Sequence, residues 1–290
     1  MAASAPISAS VSGDESLVAG LMRRPPAVGA AIVLALVIAA ALAAQWVAPY
    51  APSKLSIASR LQGPSLVHLF GTDEFGRDVL SRTIWAGRVS LAVGGSVVVV
   101  SCLIGVTLGL LAGYFRRLDG PLSRLIDAMM AFPDILLAIA LVAALGPNVV
   151  NVVLALGIVY APRAARVVRA STLVIRELAY VEAARALGVP TYKILLRHVL
   201  RNLASPITVQ ATFIFANAIL AEAGLSFLGV GVSPDVPTWG TMIAMGRQFM
   251  DQAGWIMWFP GIAIVASVMS LQVMGDALRD LLDPRLARTT

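Results

Sequence analysis

Six stretches of this chain carry almost no charge: residues 27–48, 89–114, 125–145, 149–162, 207–230 and 254–273. A helix rises ~1.5 Å per residue, so about twenty apolar residues cross a ~30 Å hydrocarbon layer. Five of the stretches meet that length. The sixth, 149–162, is short and ends in Pro162, with Asn148 and Asn151 placed to extend it at the interface. The first follows Arg23 and Arg24. It outruns the about 7–15 apolar residues of a cleaved signal peptide, so it reads as a retained anchor. Charged residues make up 13% of the chain and apolar ones 58%, whereas a soluble domain carries about 25% charge. The pattern predicts an all-α membrane protein of about six transmembrane helices.

The net charge of +6 invites comparison with nucleic-acid binders. The cations collect between apolar blocks, however, as loops of membrane proteins require, and nucleic acid is set aside. Six crossings put both termini on one side. That side holds Arg23, Arg24, Arg116, Arg117, Arg124, the eight Arg and Lys from Arg163 to Arg201, and Arg279, Arg285 and Arg288. The other holds only Lys54, Arg60, Arg77, Arg82, Arg88 and Arg247. The bias predicts cytoplasmic termini. The single cysteine, Cys102, excludes an intrachain disulfide and any cysteine-based zinc site. Residues 1–22, without Lys or Arg among the first 22, read as a mobile tail, and 286–290 as a second tail. Residues 23–88 comprise the first span and an outer loop, and 89–285 the main transmembrane domain.

Two connections stand out by length, and long loops in compact proteins commonly carry function. The inner one holds a short helix from Arg176 to a stop at Gly188, where glycine suits a left-handed turn. Pro190 then opens a second helix in which Tyr192, Leu195, Leu196, Val199 and Leu200 recur at helical spacing. Such a pair resembles a DNA-reading helix-turn-helix locally, but between membrane spans it has no surface to lay along a duplex. An amphipathic linker on the headgroups and a docking knob for a cytoplasmic partner both fit. In the second reading Ala183, Ala184 and Ala186 permit close approach and Glu182 supplies a charged anchor.

Glu182-Ala183-Ala184, three residues, then Gly188 resembles the EAA loop of bacterial ABC importer permeases. From about Arg23 to Arg285 the chain is similar to the C-type permease subunit of dipeptide and oligopeptide importers. The resemblance rests on five blocks in order: 68–81 in the outer loop, 180–188 in the inner one, then 219–229, 237–240 and 275–285. It implies the type I ABC importer permease fold, with a coupling loop near 171–201. It also implies Tyr180, Glu182, Ala183, Ala184, Leu187 and Gly188 as the contact with an ATPase. The implied partners are a second permease subunit, two ATPase subunits and an extracytoplasmic substrate-binding protein, in a bacterial plasma membrane. The family's Leu-Pro-Asn is Leu200-Arg201-Asn202 here, which removes a helix breaker and lets the second helix run on toward Pro206. The implied cargo is a short peptide; nickel chelates and glutathione are alternatives within the same family.

Neither Lys54 nor Lys193 lies in a Gly-x-x-x-x-Gly-Lys phosphate loop, so ATP and Mg belong to partner subunits and the chain needs no cofactor. No His-Glu-x-x-His or Gly-x-Ser-x-Gly motif supports an enzyme, and no inverted repeat supports an autonomous secondary transporter. Asn217 and Glu222 sit inside an apolar block, where polar groups are costly. They either line a pathway or satisfy Ser and Thr groups between helices. Arg163, Arg166 and Arg169 recur every third residue at a span end and are expected to meet headgroups or a partner; Asp127 and Asp134 are expected to be solvated at the interface. The outer motif Gly71, Thr72, Asp73, Gly76, Arg77, Asp78 reads as turns with Arg77 paired to a carboxylate. With His68 alone nearby, it does not read as a metal site.

Overall fold

In the computed structural model, residues 17–282 are described, and helices supply all the regular structure among them apart from one isolated antiparallel bridge, Thr72 to Asp78. Most of the expected first tail lies outside those residues, as do Arg285, Arg288 and the expected second tail, 286–290; the last six residues of the first, Leu17–Met22, form a short helix, α1. Helix α2 (Pro25–Leu42) starts on two prolines, which suit a first turn because the missing N–H groups there have no helical partner.

Asp78 caps α3 (Val79–Tyr114) by accepting from the Ser81 backbone N–H, so this helix begins ten residues before the apolar block that announced it. Its 36 residues would rise ~54 Å, more than a bilayer core needs, and the polar first turns stand beyond it.

The third apolar block is not one span. It divides into α4 (Arg116–Met130) and α5 (Asp134–Leu145), bent by 91° at the break. Pro133 causes the break: its ring pushes Phe132 out of the helical region, and it brings no N–H. The fourth block departs the other way. Helix α6 (Val149–Ile175) runs straight through Pro162 and ends thirteen residues beyond it. Pro162 is buried between neighbouring helices, the setting in which membrane helices tolerate proline.

The chain continues through α7 (Ala179–Ala186) and the 191–202 segment to α8 (Ala204–Phe227), α9 (Trp239–Gly246) and α10 (Trp255–Leu282). Five helices are long and apolar enough to cross a membrane, and the count reaches six if the bent pair is taken as one span. Helices α3 and α6 run parallel in close contact. A Cβ added at Gly105 would stand 2.6 Å from the Ala161 carbonyl oxygen, and one at Gly109 2.6 Å from that of Ala165; at Gly113 it would meet Thr172 at 2.6 Å. Glycine every fourth residue lets two backbones touch where lipid supplies no hydrophobic drive for helix association.

Three apolar clusters hold the bundle. One centres on Val97, Leu156 and Ile214, and a second on Val79, Trp239 and Ile256. The third lies at one end, where Val181, Ile194, Val199 and Leu203 pack on Val168 and Ile175. Arg24 at the start of α2 pairs with Asp280 near the end of α10 (2.7 Å), so the first long helix begins where the last one ends.

Candidate functional site

The 176–203 segment is a small structure with its own apolar base. Val181 and Ala184 on α7 face inward onto Ile194 and Val199, while Glu182, Ala183, Ala186 and Leu187 face out. The turn expected at Gly188 is present: φ is +73°, the Gly188 N–H donates to Arg185 O and the Val189 N–H to Ala184 O. This is the paired hydrogen-bond closure of a helix ending in a left-handed glycine. Leu187, 83% exposed, stands at the tip. Ala184 does not join the outward surface, because its methyl belongs to the base. The Tyr180 hydroxyl accepts from Asn202 Nδ2 (3.1 Å), tying the start of α7 to the end of the following segment.

That following segment is continuous from Thr191 to Asn202 but widens into a π-type stretch over Ile194–Val199. Helical structure passes through Arg201, as loss of the proline allows, yet stops at Leu203 instead of reaching Pro206, which lies in the first turn of α8. Leu203 is fully buried in the base cluster, and its burial fixes the corner. Arg176 anchors the other end by donating to Gly113 O at 2.7 Å.

At the opposite end of α3 the outer loop wraps Thr72 and Asp73. Asp73 Oδ1 accepts the backbone N–H groups of Phe75 and Arg77, both at 2.9 Å, and Oδ2 accepts Arg77 Nε at 2.5 Å. Arg82 approaches the same oxygen at 3.5 Å. The expected pairing of Arg77 is therefore real, with Asp73 as its partner. Gly71 and Gly76 have φ of +73° and +69°; a Cβ at Gly76 would stand 1.8 Å from Ser56 O. His68 Nδ1 lies 2.9 Å from Asp78 Oδ1, and Trp255 Nε1 donates to Thr72 O. Burial, reinforced by neighbouring Asp73 against the pull of Arg77 and Arg82, pushes the Glu74 carboxyl above its ordinary range.

Between these ends lies Glu222 on α8, 1% exposed. Its Oε1 accepts from the Ser226 hydroxyl (2.8 Å) and the Thr238 hydroxyl (2.9 Å), and Thr238 also caps α9. Next to it the Trp239 N–H donates to Ser90 Oγ and its indole N–H to Thr83 O, both on α3. Glu222 thus sits in a polar knot joining α8, α9 and α3. The Asn217 amide donates to Phe213 O on its own helix.

Residues 105–288 match the family described as binding-protein-dependent transport system inner membrane component, and residues 18–64 match the N-terminal TM domain of oligopeptide transport permease C. The chain belongs to this family. The permease is 49% identical over 92% of its length to a Brucella suis biovar 1 chain named for a peptide transport system permease, of which 90% is covered. It is 45% identical to the di/tripeptide transport system permease of Pseudomonas aeruginosa (90% of this chain, 88% of the relative). Against the glutathione transport system permease of Pectobacterium atrosepticum it is 43% identical (91% and 89%). The family is one of transport subunits, not enzymes.

Three features of the permease escape a reading by loops. The Gly105, Gly109, Gly113 spacing is visible in the sequence as a small-residue helix-contact signal, and it marks the α3–α6 seam. The arginines of α6 do not reach outward as expected. Arg163 pairs with Asp134, Arg166 with Asp127 (2.8 Å) and Arg169 with Asp119 (2.6 Å). Asp127 and Asp134 are accordingly ion-paired and not simply solvated. A third feature is a cavity of about 600 Å³ beside the 176–203 base, lined by Ser171, Ser205, Gln210, Phe213 and Arg279.

Proposed function

We propose that the permease forms half of the translocation pathway of an ATP-driven importer of short peptides, and that α7 with Gly188 is where partner ATPases drive it. The observation that carries this reading is the build of the 176–203 segment. It has a buried base welded to α6, a closed turn, and an outward face of Glu182, Ala183, Ala186 and Leu187 that is exposed among the described residues. A lever transmits displacement only if it does not bend, and the base joins this one to α6, α8 and, through Arg176, α3. ATP and Mg act in the partner subunits.

In this reading the end bearing 176–203 faces the cytoplasm of a bacterial plasma membrane, with both termini on that side. The cavity beside Ser171, Gln210 and Arg279 belongs to the pathway shared with a second permease subunit. The outer loop around Asp73 and Arg77 meets that subunit or a substrate-binding protein. Glu222 acts on the pathway by holding the 228–241 connection in place, and Asn217 lies one turn deeper on the same helix. Peptides are favoured because relatives named for peptide and di/tripeptide transport share 45–49% identity with the chain; the relative named for glutathione transport, at 43%, keeps that γ-linked tripeptide as a second cargo.

Replacing Gly188 with a bulky residue tests the reading. No neighbour lies within 4 Å of a Cβ there, so the bundle is spared, while the left-handed backbone costs a non-glycine residue about 1–2 kcal/mol locally. Uptake or ATPase association should be lost with the permease still inserted. Normal uptake by Gly188→Trp counts against the coupling role.

A further inference from the structure

Helix α4 has two faces of different chemistry. Ile126 is 2% exposed, and Asp119 and Asp127 reach α6 through the arginine pairs. The opposite face carries Arg117, Leu118, Pro121, Arg124 and Leu125, all exposed and spaced three, four and seven apart, as one helix face requires. Among the described residues, Arg117 and Arg124 have no hydrogen bond or ion pair within the chain.

The bend at Pro133 sets α4 at 91° to α5. Helix α5 packs on α6, so with α6 taken as a crossing the right-angle turn carries α4 across the end of the bundle, along the membrane surface. Past the bend, Phe132 and Leu136 are 61% and 58% exposed, so the apolar strip turns the corner with the chain and descends α5. Apolar side chains reaching into a bilayer beside cations at its surface are the signature of an interfacial helix.

We propose that the outward face of α4 is a binding site for anionic phospholipid, with Arg117 and Arg124 holding the phosphodiester headgroup and Leu118, Leu125 and Phe132 lying among the acyl chains. The charge complementarity is one-sided: the acidic residues of the elbow are consumed by α6, leaving the free cations outside. Two arginines seven residues apart stand two turns, or ~11 Å, from each other, a span that suits neighbouring headgroups or one lipid with two phosphates. The lipid would brace the elbow against the helix that leads directly into the 176–203 segment.

The assembled transporter, purified in mild detergent and moved to nanodiscs of phosphatidylcholine with a minority of phosphatidylglycerol, tests this. Lipid retained by the parent complex and by R117Q/R124Q is compared by mass spectrometry. Retained phosphatidylglycerol should fall by about fivefold for each guanidinium removed, and parent retention should fall with salt. Equal retention in the variant overturns the proposal. A photo-crosslinking residue at Leu125 in the otherwise unaltered complex gives an answer even if the double variant fails to assemble. Adducts to phospholipid support the site; adducts to a protein subunit show that a partner covers this face, and overturn it.

Discussion

Asp73 does more than pair with Arg77. It accepts two backbone N–H groups as well, so its position is chosen for a carboxylate and not merely for a charge. Asp73→Ala should cost about 3–5 kcal/mol of stability in the outer loop, the range for stripping one partner from a buried ion pair. The exchange Asp73→Arg with Arg77→Asp should fail to rescue, because an arginine cannot accept from Phe75 and Arg77 N–H groups and would sit beside Arg82. Recovery of parent-like proteolytic resistance by that double variant contradicts this assignment. Glu74 makes a pH-dependent prediction. Its carboxyl is pushed up mainly by burial, so ionising it in the folded loop costs stability as pH rises from the ordinary carboxylate range through the raised one. Glu74→Gln removes that cost. Thermal unfolding should occur at a higher temperature in the variant at pH 7, and the two proteins should converge near pH 4, about where a free glutamate titrates. A variant less stable at pH 7 contradicts it. The pairing of Arg77 was legible in the sequence because both partners lie in one eight-residue motif. The two backbone bonds to Asp73 were not, since they depend on the turn at Gly76.

Among the helices, the decisive contact is the glycine seam of α3 on α6. Gly109→Leu should abolish assembly of the complex, and Gly109→Ala should destabilise it by about 1–3 kcal/mol through overpacking. Gly95 on the same helix has open space around its Cβ, so Gly95→Ala should be neutral or stabilising by up to about 1 kcal/mol. Denaturation of the two alanine variants side by side checks the pair; equal effects refute the seam. Proline alone did not say where helices stop. Pro133 breaks a helix and Pro162 does not, and the difference lies in what surrounds them. Pro162 is buried among helices, whereas Ala131, Phe132 and Pro133 are exposed at a corner. The arginine spacing on α6 was equally visible, but its partners lie 29 to 50 residues away and only the bend brings them near. Those pairs are partly exposed, so single charge deletions there should each change stability little.

For the molecule as a whole, the apolar blocks gave the class and the approximate number of crossings, and the order of five motifs gave the family. They did not reveal that one crossing is an elbow, nor that the 176–203 segment is bonded to α3 as well as to the helices on either side. The start of α2 and the end of α10 lie at the same end of the bundle as this segment, since Arg24 pairs with Asp280 and Arg279 lines one cavity with Ser171 and Ser205. A reporter active only outside the cell, fused after the last residue, should stay silent.

The coupling role proposed for α7 sets a partner ATPase against its outward face, where Ala183 and Leu187 are exposed. The most direct measurement is site-specific crosslinking in the intact, co-purified complex from cysteines introduced one at a time at Ala183 and Leu187, in a Cys102→Ser background. Both positions should crosslink to an ATPase subunit, with a yield that changes on adding ATP. A complex that transports its cargo and yet gives no ATPase adduct from either position contradicts the claim.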